Sequence, residues 1–344
     1  MADLLLPRPR TPDANDAPPL RWGILGPGGI ARSFASAVQA RSEQQVAAVG
    51  SRSLERAREF ADEFSVPTTY GSYEELVHDS TVDVVYVASP HSAHHEHALL
   101  ALRAGKPVLV EKAFARNAGE ARDIIETARA ARLFAMEAMW TRFLPHIDVV
   151  RQSLEDGLLG EVHTVFADHG QRLFPDGPRR LSDPELAGGA LLDLGIYPVS
   201  FASFAVGPFA SVTAAGTVTD TGVDGQEGIV LQADSGAVAN IAATMLTKTP
   251  TTASICGTRA RIDITGDFYR PGAVVRLVAP DGTVLDEYDD PEKEHGLHQE
   301  AVEVARRISA GELESPLMPL DETLAIMEVL DSARQQIGVR YPGE

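Results

Sequence analysis

The rhythm of apolar and polar positions changes near the middle of this 344-residue chain. Over the first 140 residues, short apolar runs alternate with stretches whose apolar residues recur every three or four positions. That alternation predicts strands feeding helices, and hence parallel pairing. Trp22 to Leu25 predicts a strand and residues 30–38 a helix; residues 46–49 and the stretch from Leu54 repeat the pair. A helical turn at "SYEELVHDS" precedes the fully apolar "VDVVYVAS", which suits the middle of a parallel sheet. A starting helix at "HSAHHEH", the strand "KPVLVEK", the helix "NAGEARDIIETARAAR" with apolar positions 121, 124, 125 and 128, and the strand "LFAMEAMW" complete this half.

After Pro145 the runs become rich in Val, Thr and Ala: "EVHTVFADHG", "ASVTAAGTV", "GIVLQADSGAVANIAAT", "ASICGTRARIDIT" and "AVVRLVAPDGTVLDE". The turn signals "DSG" and "PDG" predict hairpins, so this half reads as a mostly antiparallel sheet. Two helices close the chain, 297–310 and 322–337, the second capped by Asp321 and stopped by Gly338. The expected fold class is therefore α/β. It combines an N-terminal doubly wound parallel sheet with a C-terminal α+β domain built on a large, open, mostly antiparallel sheet. Expected boundaries are a flexible arm over 1–19, the doubly wound domain over 20–143, and the α+β domain over 144–344.

Composition narrows the function. The formal charge is −19, which argues against nucleic acid and anionic membrane as partners. No apolar run read from the sequence approaches the roughly eighteen residues of a membrane helix. The first twenty residues lack the apolar core of a secretory signal. One cysteine, Cys256, excludes an internal disulfide and fits a reducing cytoplasm. The chain holds four lysines against twenty-six arginines. A lysine kept at a strand end, as in Glu111-Lys112, therefore invites a chemical reason: lysine can be pKa-tuned and can share a proton, whereas arginine stays charged.

The first turn carries the clearest chemistry. Gly26-Pro27-Gly28-Gly29-Ile30-Ala31 matches G-x-G-x-x-A between a strand and a helix. Gly26 permits the tight turn, and Gly28 and Gly29 let backbone approach a pyrophosphate. Ile30 and Ala31 open a helix whose N-terminus faces the anion. An NAD site usually has an acidic residue at the end of the second strand. Here Ser51-Arg52 stands there, which can donate to and pair with a ribose 2′-phosphate. The expected cofactor is NADP, with NAD possible. Pro90, His91 and His94 sit where a parallel strand ends, the usual place for ligands, and read as cofactor or substrate contacts. Four histidines at 91, 94, 95 and 97 do not put three on one helical face, so no metal is expected.

These residues resemble the glucose–fructose oxidoreductase, inositol dehydrogenase and rhizopine catabolism superfamily. Its hallmark is a Rossmann turn followed about eighty residues later by Glu-Lys-Pro at a strand end. Here Glu111-Lys112-Ala113 stands, without the proline. "EAMWTRFLP", "GGALLDLGIYPV" and the tail "ESPLMPLDETLAIMEVLDSARQQIGVRYP" look most like the dimeric dihydrodiol dehydrogenase and glucose–fructose oxidoreductase branches. The resemblance implies an NAD(P)-dependent dehydrogenase or reductase of sugars, polyols or dihydrodiol-type alcohols. It implies Glu111, Lys112, Trp140 and Arg142 at the cofactor, and a homodimer or larger assembly formed through the second sheet.

Asp193 and Tyr197 are four residues apart and would share one helical face, with Gly195 leaving room between them. Many family members have histidine at the position of Tyr197; in the branches named, the resemblance makes this tyrosine the proton donor or acceptor. A free phenol has a pKa of about 10 and needs a nearby ammonium, here Lys112, to act near neutrality. Two other readings stand beside the simple dehydrogenase. One is an enzyme that keeps NAD(P) bound and uses transient redox, glycosidase-like or between two sugars. The other is a non-catalytic NADP and sugar sensor.

Overall fold

A computed structural model describes residues 4–344. The described residues divide into two compact units. The first comprises Pro12–Trp140 and His295–Met327, and the second comprises residues 4–11, Thr141–Glu294 and Glu328–Glu344.

In the first unit the expected alternation is present in full. It runs β1 (Arg21–Leu25), α1 (Gly29–Arg41), β2 (Gln45–Gly50), α2 (Leu54–Phe64), β3 (Thr68–Tyr70), α3 (Tyr73–Val77), β4 (Val84–Val87), α4 (His91–Arg103), β5 (Val108–Glu111), α5 (Ala118–Ala131) and β6 (Ala135–Ala138). The six strands form one parallel sheet in the order β3-β2-β1-β4-β5-β6. Order reverses beside β1, so ligands are expected at the carboxyl ends of β1 and β4. Every residue of β4 and β5 is buried, as strands covered on both faces require. Phe34 of α1 locks onto this sheet, stacked on Tyr86 at 4.1 Å and edge-on to Trp22 at 5.2 Å.

The second unit begins with α6 (Pro145–Glu155), β7 (Val162–Gly170), the short α7 (Arg179–Ser182) and α8 (Ile196–Val206). Its strands continue with β8 (Phe209–Val218), β9 (Asp224–Ala233), β10 (Val238–Thr244), β11 (Ala253–Gly257), β12 (Arg261–Thr265), β13 (Val274–Val278) and β14 (Val284–Asp289). The chain ends with α9 (Leu297–Ser309) and α10 (Leu320–Ile337). The eight strands lie in the order β14-β13-β12-β11-β7-β10-β9-β8. All pairs are antiparallel except β7 with β10.

Several expectations change. "ASICGTRARIDIT" is not one strand but a hairpin, with β11 and β12 joined through Thr258 to Ala260. Residues 145–155, ahead of the first strand expected in this half, form a helix that Pro145 opens at the first helical position. Asp321 does not cap α10; Leu320 opens that helix and donates its N–H to Glu314 at 2.8 Å.

The single boundary at 143/144 also gives way. α9 and the first part of α10 belong to the first unit, where α9 packs on α1. Residues near the amino terminus are fastened rather than free. Leu6 N–H donates to Asp286, Arg10 bonds Asp148 and pairs with Glu155, and Ala14 and Ala17 pack on Val302 and Ala305 of α9. Finally, the helical stretch 184–206 is long and apolar enough by composition to cross a membrane, which linear reading did not register. Its most apolar window is 83% buried inside the fold, as a core helix is.

Candidate active site

Each unit carries half of the predicted chemistry. In the first, β1 ends at a turn that only Gly26 can make. Its φ is +96°, and a Cβ there would stand 3.1 Å from Ala88 O. Gly28 and Gly29 differ. A Cβ on either would meet no protein atom within 4 Å, and the N-terminus of α1 has no side-chain cap. Their smallness thus answers to no packing demand within the protein. Bare amides beside open space fit a dinucleotide pyrophosphate. Ile30 lies half-exposed at the same helix start.

At the end of β2, Ser51 is buried. Its N–H donates to Tyr70 O, and its Oγ accepts from Ser53 N–H at 3.2 Å. It shapes the turn, while Arg52 is exposed and makes no ion pair among the described residues. Arg52 and Arg56 lie close enough to oppose the burial that raises the Tyr73 phenol.

The end of β5 is held from several sides. Glu111 accepts from the Tyr86 hydroxyl and from Lys112 N–H. The Lys112–Ala113 peptide is cis. His91 Nε2 meets Lys112 O at 3.2 Å, and His94 Nδ1 meets Ala113 O at 2.8 Å. The other His94 nitrogen meets Ser89 O at 2.7 Å. Burial pushes the His94 pKa down to about 4, against those two backbone bonds. At neutral pH the ring is therefore neutral and donates to one carbonyl at a time. His94 is fully buried, so it fastens backbone and is no ligand contact, contrary to expectation. Pro90 precedes the same helix as its N-cap.

Two buried acids that sequence reading passed over complete this half. Glu137 accepts from Phe114 N–H at 3.1 Å and from the Thr323 hydroxyl at 3.1 Å, fixing the loop after Lys112. Glu300 is fully buried near Glu111, with no hydrogen bond to either carboxyl oxygen. Burial first, and Glu111 second, raise its pKa well above the ordinary 4.5.

In the second unit, a π-helical turn over Leu191–Gly195 leads into α8. Asp193 pairs with Arg180, at 2.9 Å and 3.4 Å. Gly195 does not make room between Asp193 and Tyr197; a Cβ on it would stand 3.0 Å from Glu227 Oε1 and 3.1 Å from Leu191. Tyr197 is buried in the first turn of α8, in an aromatic cluster with His169 of β7 and Tyr269, at 5.3 Å and 4.6 Å. The Gln171 amide nitrogen Nε2 lies 2.9 Å from His169 Nε2 and 3.3 Å from the Tyr269 hydroxyl oxygen. With the amide donating, His169 accepts there and donates Nδ1–H to Leu194 O at 3.2 Å. Burial raises the Tyr269 phenol, which therefore stays protonated.

Arg142, expected at the cofactor, is instead buried and donates to Ser200 Oγ at 3.1 Å and Ser200 O at 2.8 Å. Trp140 is partly buried in the turn preceding it. His169, Gln171, Tyr269 and Arg180 were not singled out from the sequence. Only the alternation of β7, which points 165, 167 and 169 to one face, carried a signal for His169.

Comparison with known proteins agrees with this geometry. The model of the GFO/IDH/MocA oxidoreductase family, NAD-binding Rossmann fold, matches residues 20–138, and the model of a GFO/IDH/MocA C-terminal domain matches 147–263. The trans-1,2-dihydrobenzene-1,2-diol dehydrogenase of Mus musculus is 38% identical over 331 residues, spanning 94% of this chain and 98% of its own. The Homo sapiens enzyme of that name is 36% identical over 333 residues, with the same coverage. A 3-ketoreductase from Actinomadura kijaniata, solved with NADP and TDP-benzene, superimposes with a TM-score of 0.82 at 26% identity, over 93% of this chain and 98% of its own. It has also been solved with a lysine changed to alanine and with a tyrosine changed to phenylalanine. An aldose-aldose oxidoreductase from Caulobacter crescentus, complexed with glycerol, gives 0.83 at 25% identity, over 93% and 97%.

The state of Glu300 yields a pH prediction. A carboxyl whose pKa is raised on folding favours the fold at low pH, and that contribution is lost as pH rises above 4.5 toward the raised value. Glu300→Gln does not titrate. The melting temperature of the variant relative to wild type should therefore climb between about pH 4 and pH 8. A difference that stays flat across that range would show that Glu300 does not hold its proton.

Proposed function

The chain belongs to the GFO/IDH/MocA oxidoreductase family, and from that membership we propose that it is an NADP-linked dehydrogenase or reductase of a cyclic vicinal diol or sugar. The observation that carries this reading is the open, uncapped glycine turn at the end of β1, on the same sheet edge as Glu111-Lys112. The diol class is suggested by the dihydrodiol dehydrogenases that match almost end to end. The aromatic cluster around Tyr197 suits a ring-shaped substrate.

The cofactor, when bound, supplies or accepts the hydride. Gly28, Gly29 and the first amides of α1 would hold its pyrophosphate, and exposed Arg52 would hold its 2′-phosphate. The chain's own residues manage the proton. Tyr197 gives a proton to the substrate oxygen in reduction and takes it in oxidation. Lys112, at the carboxyl end of β5, supplies the positive charge that a developing alkoxide requires. A lysine and a tyrosine are also the residue types substituted in the 3-ketoreductase. Arg180 holds Asp193 in place, and the Gln171–His169–Tyr269 chain keeps neutral donors and acceptors beside the phenol. One lone cysteine fits a cytoplasmic setting.

Arg52→Ala should raise KM for NADP by roughly ten- to hundredfold, the value of a charge-assisted contact of about 1.5–3 kcal/mol, and leave KM for NAD nearly unchanged. Equal effects on both cofactors would overturn the NADP assignment. Tyr197→Phe should cut kcat by roughly 10²–10⁴, the usual size of general acid–base catalysis, with NADP affinity retained. Lys112→Met should also cut kcat, and the double variant should be little worse than the worse single, because the two act as one unit. Near-normal kcat in Tyr197→Phe would move the proton elsewhere. A panel of dihydrodiols, polyols and aldoses assayed with each cofactor identifies the substrate; no turnover with any would favour a sensor.

Assembly follows the second sheet. Phe166 and Val230 are exposed and lie in one row across its face, both paired in register with Asn240. A second copy of the chain is the proposed cover. Light scattering should give a homodimer or larger for the wild type and a smaller species for Phe166→Asp with Val230→Asp; a wild-type monomer at micromolar concentration would refute it.

A further inference from the structure

Beneath the turn that leads to Tyr197 lie two carboxyls that the proposed reaction does not use. Asp224 and Glu227 stand on β9, both almost fully buried. Asp224 Oδ2 accepts Leu191 N–H at 2.5 Å, and Ala190 N–H also bonds this carboxylate. These are first amides of the helical run that continues into α8, the groups a helix cannot satisfy by itself. The other oxygen, Oδ1, has no hydrogen-bond partner, and a Cβ on Gly189 would stand 2.2 Å from it. Gly189 has φ +124°. Glu227 lies at the far end of the same turn. Its Oε1 would be 3.0 Å from a Cβ on Gly195, and neither of its oxygens has a partner. The π-turn Leu191–Gly195 is thus bracketed by two glycines, each pressed against one carboxyl of β9.

Stability alone does not account for this pair. A buried carboxyl without full hydrogen bonding is costly, and apolar replacements of buried ionisable groups are often neutral or stabilising. The surrounding groups offer limited relief. Arg334, whose charge acts on Asp224, already pairs with Glu344 at 2.9 Å and with Asp331 at 3.2 Å. The Tyr341 hydroxyl, close to both acids, has no partner either. Burial raises Asp224 to about 6 and, with Asp224 beside it, raises Glu227 well above 4.5. The upward shift of Glu227 favours its neutral form, which eases the repulsion between the two carboxyls. What the arrangement achieves is geometric. It draws the N–H groups of Ala190 and Leu191 down onto β9 and opens the turn by one residue. Single π-turns of this kind are frequent at functional sites. The opened turn sets the phase between Asp193, which lies inside it, and Tyr197, just beyond it.

We propose that Asp224 and Glu227 are positioning residues, which hold the opened turn at Leu191–Gly195 and so aim Asp193 and Tyr197 at the substrate. The inference rests on the reading of Tyr197 as the proton-transfer group. It separates this pair from ordinary core residues, because its loss should reach the chemical step and not only the fold.

The test measures kcat, NADP dissociation constant and melting temperature of the full chain. Asp224→Ala should lower kcat at least tenfold well below its melting temperature, with the NADP dissociation constant within twofold of wild type. Asp224→Asn keeps an oxygen for Leu191 N–H, and should retain kcat within threefold. Glu227→Gln should behave like Asp224→Asn, because it keeps the length of the side chain and an oxygen against Gly195. If Asp224→Ala does not fold, Asp224→Ser, one bond too short for the amide, takes its place with the same thresholds. A folded Asp224→Ala within threefold of wild-type kcat overturns the inference. So does an Asp224→Asn as damaged as Asp224→Ala, or a parallel loss of NADP affinity. Tyr197→Phe is assayed alongside: if it too keeps normal kcat, the functional reading fails. If only Tyr197→Phe is disabled, the fault lies with the positioning pair.

Discussion

A carboxyl taken out of water must be hydrogen-bonded, paired with a cation or protonated, and both units are organised around this requirement. Glu111 and Glu137 meet it with donors: Tyr86 and Lys112 N–H for the first, Phe114 N–H and Thr323 for the second. Asp193 meets it with Arg180. At Glu300 and Glu227, which lack such partners, burial shifts the balance toward the protonated form. Where donors meet the carboxylate, as at Glu111 and Glu137, the bond fixes a piece of backbone beside Lys112. Polar burial in this chain is thus a means of placement, and the apolar sheets supply the rigidity that makes placement hold.

The strand end after β5 shows the principle most fully. In the family resembled, a proline follows the lysine; here Ala113 follows, and the backbone is held by side chains. His91 and His94 hold the carbonyls of residues 112 and 113, and Glu137 holds the amide of residue 114. Three consecutive residues are therefore clamped from α4 on one side and β6 on the other. Clusters of histidine read as metal sites only while their partners are unknown. Once His94 is placed between two backbone carbonyls, it belongs to the clamp, and no group of three or more His, Cys, Asp or Glu suited to a metal occurs among the described residues.

Legibility in the sequence followed the range of the interaction. The parallel sheet was legible because each strand's burial is written in its own four or five residues, as in Val84 to Val87. The glycine turn was legible for the same reason. Glu111 and Lys112 were legible because they break an apolar run. What stayed hidden depends on residues far apart along the chain. Helix α9 joins α1 across more than 250 residues, so the amphipathic stripe at 297–309 announced a helix but not its neighbour. Arg142 was placed at the cofactor by resemblance, and only the approach of Ser200 shows it fastening α8. The cluster of His169, Tyr197 and Tyr269 draws on β7, α8 and the loop before β13, and no linear spacing encodes it.

The glycines make the same point from the other side. In "GGALLDLGIYP" they read as freedom, room for Asp193 to approach Tyr197. In the fold they are contact surfaces, Gly189 against Asp224 and Gly195 against Glu227. A missing side chain leaves space for whatever lies opposite, and sequence alone cannot say which neighbour that is. At Gly28 and Gly29 nothing of the protein lies opposite, so the space there is left for a ligand. The two kinds of glycine are chemically identical and physically opposed: one kind admits a carboxyl that shapes the helix start, the other an anion that the helix start can bind. That contrast, more than any motif, separates the residues that build this protein's site from those that face its ligand.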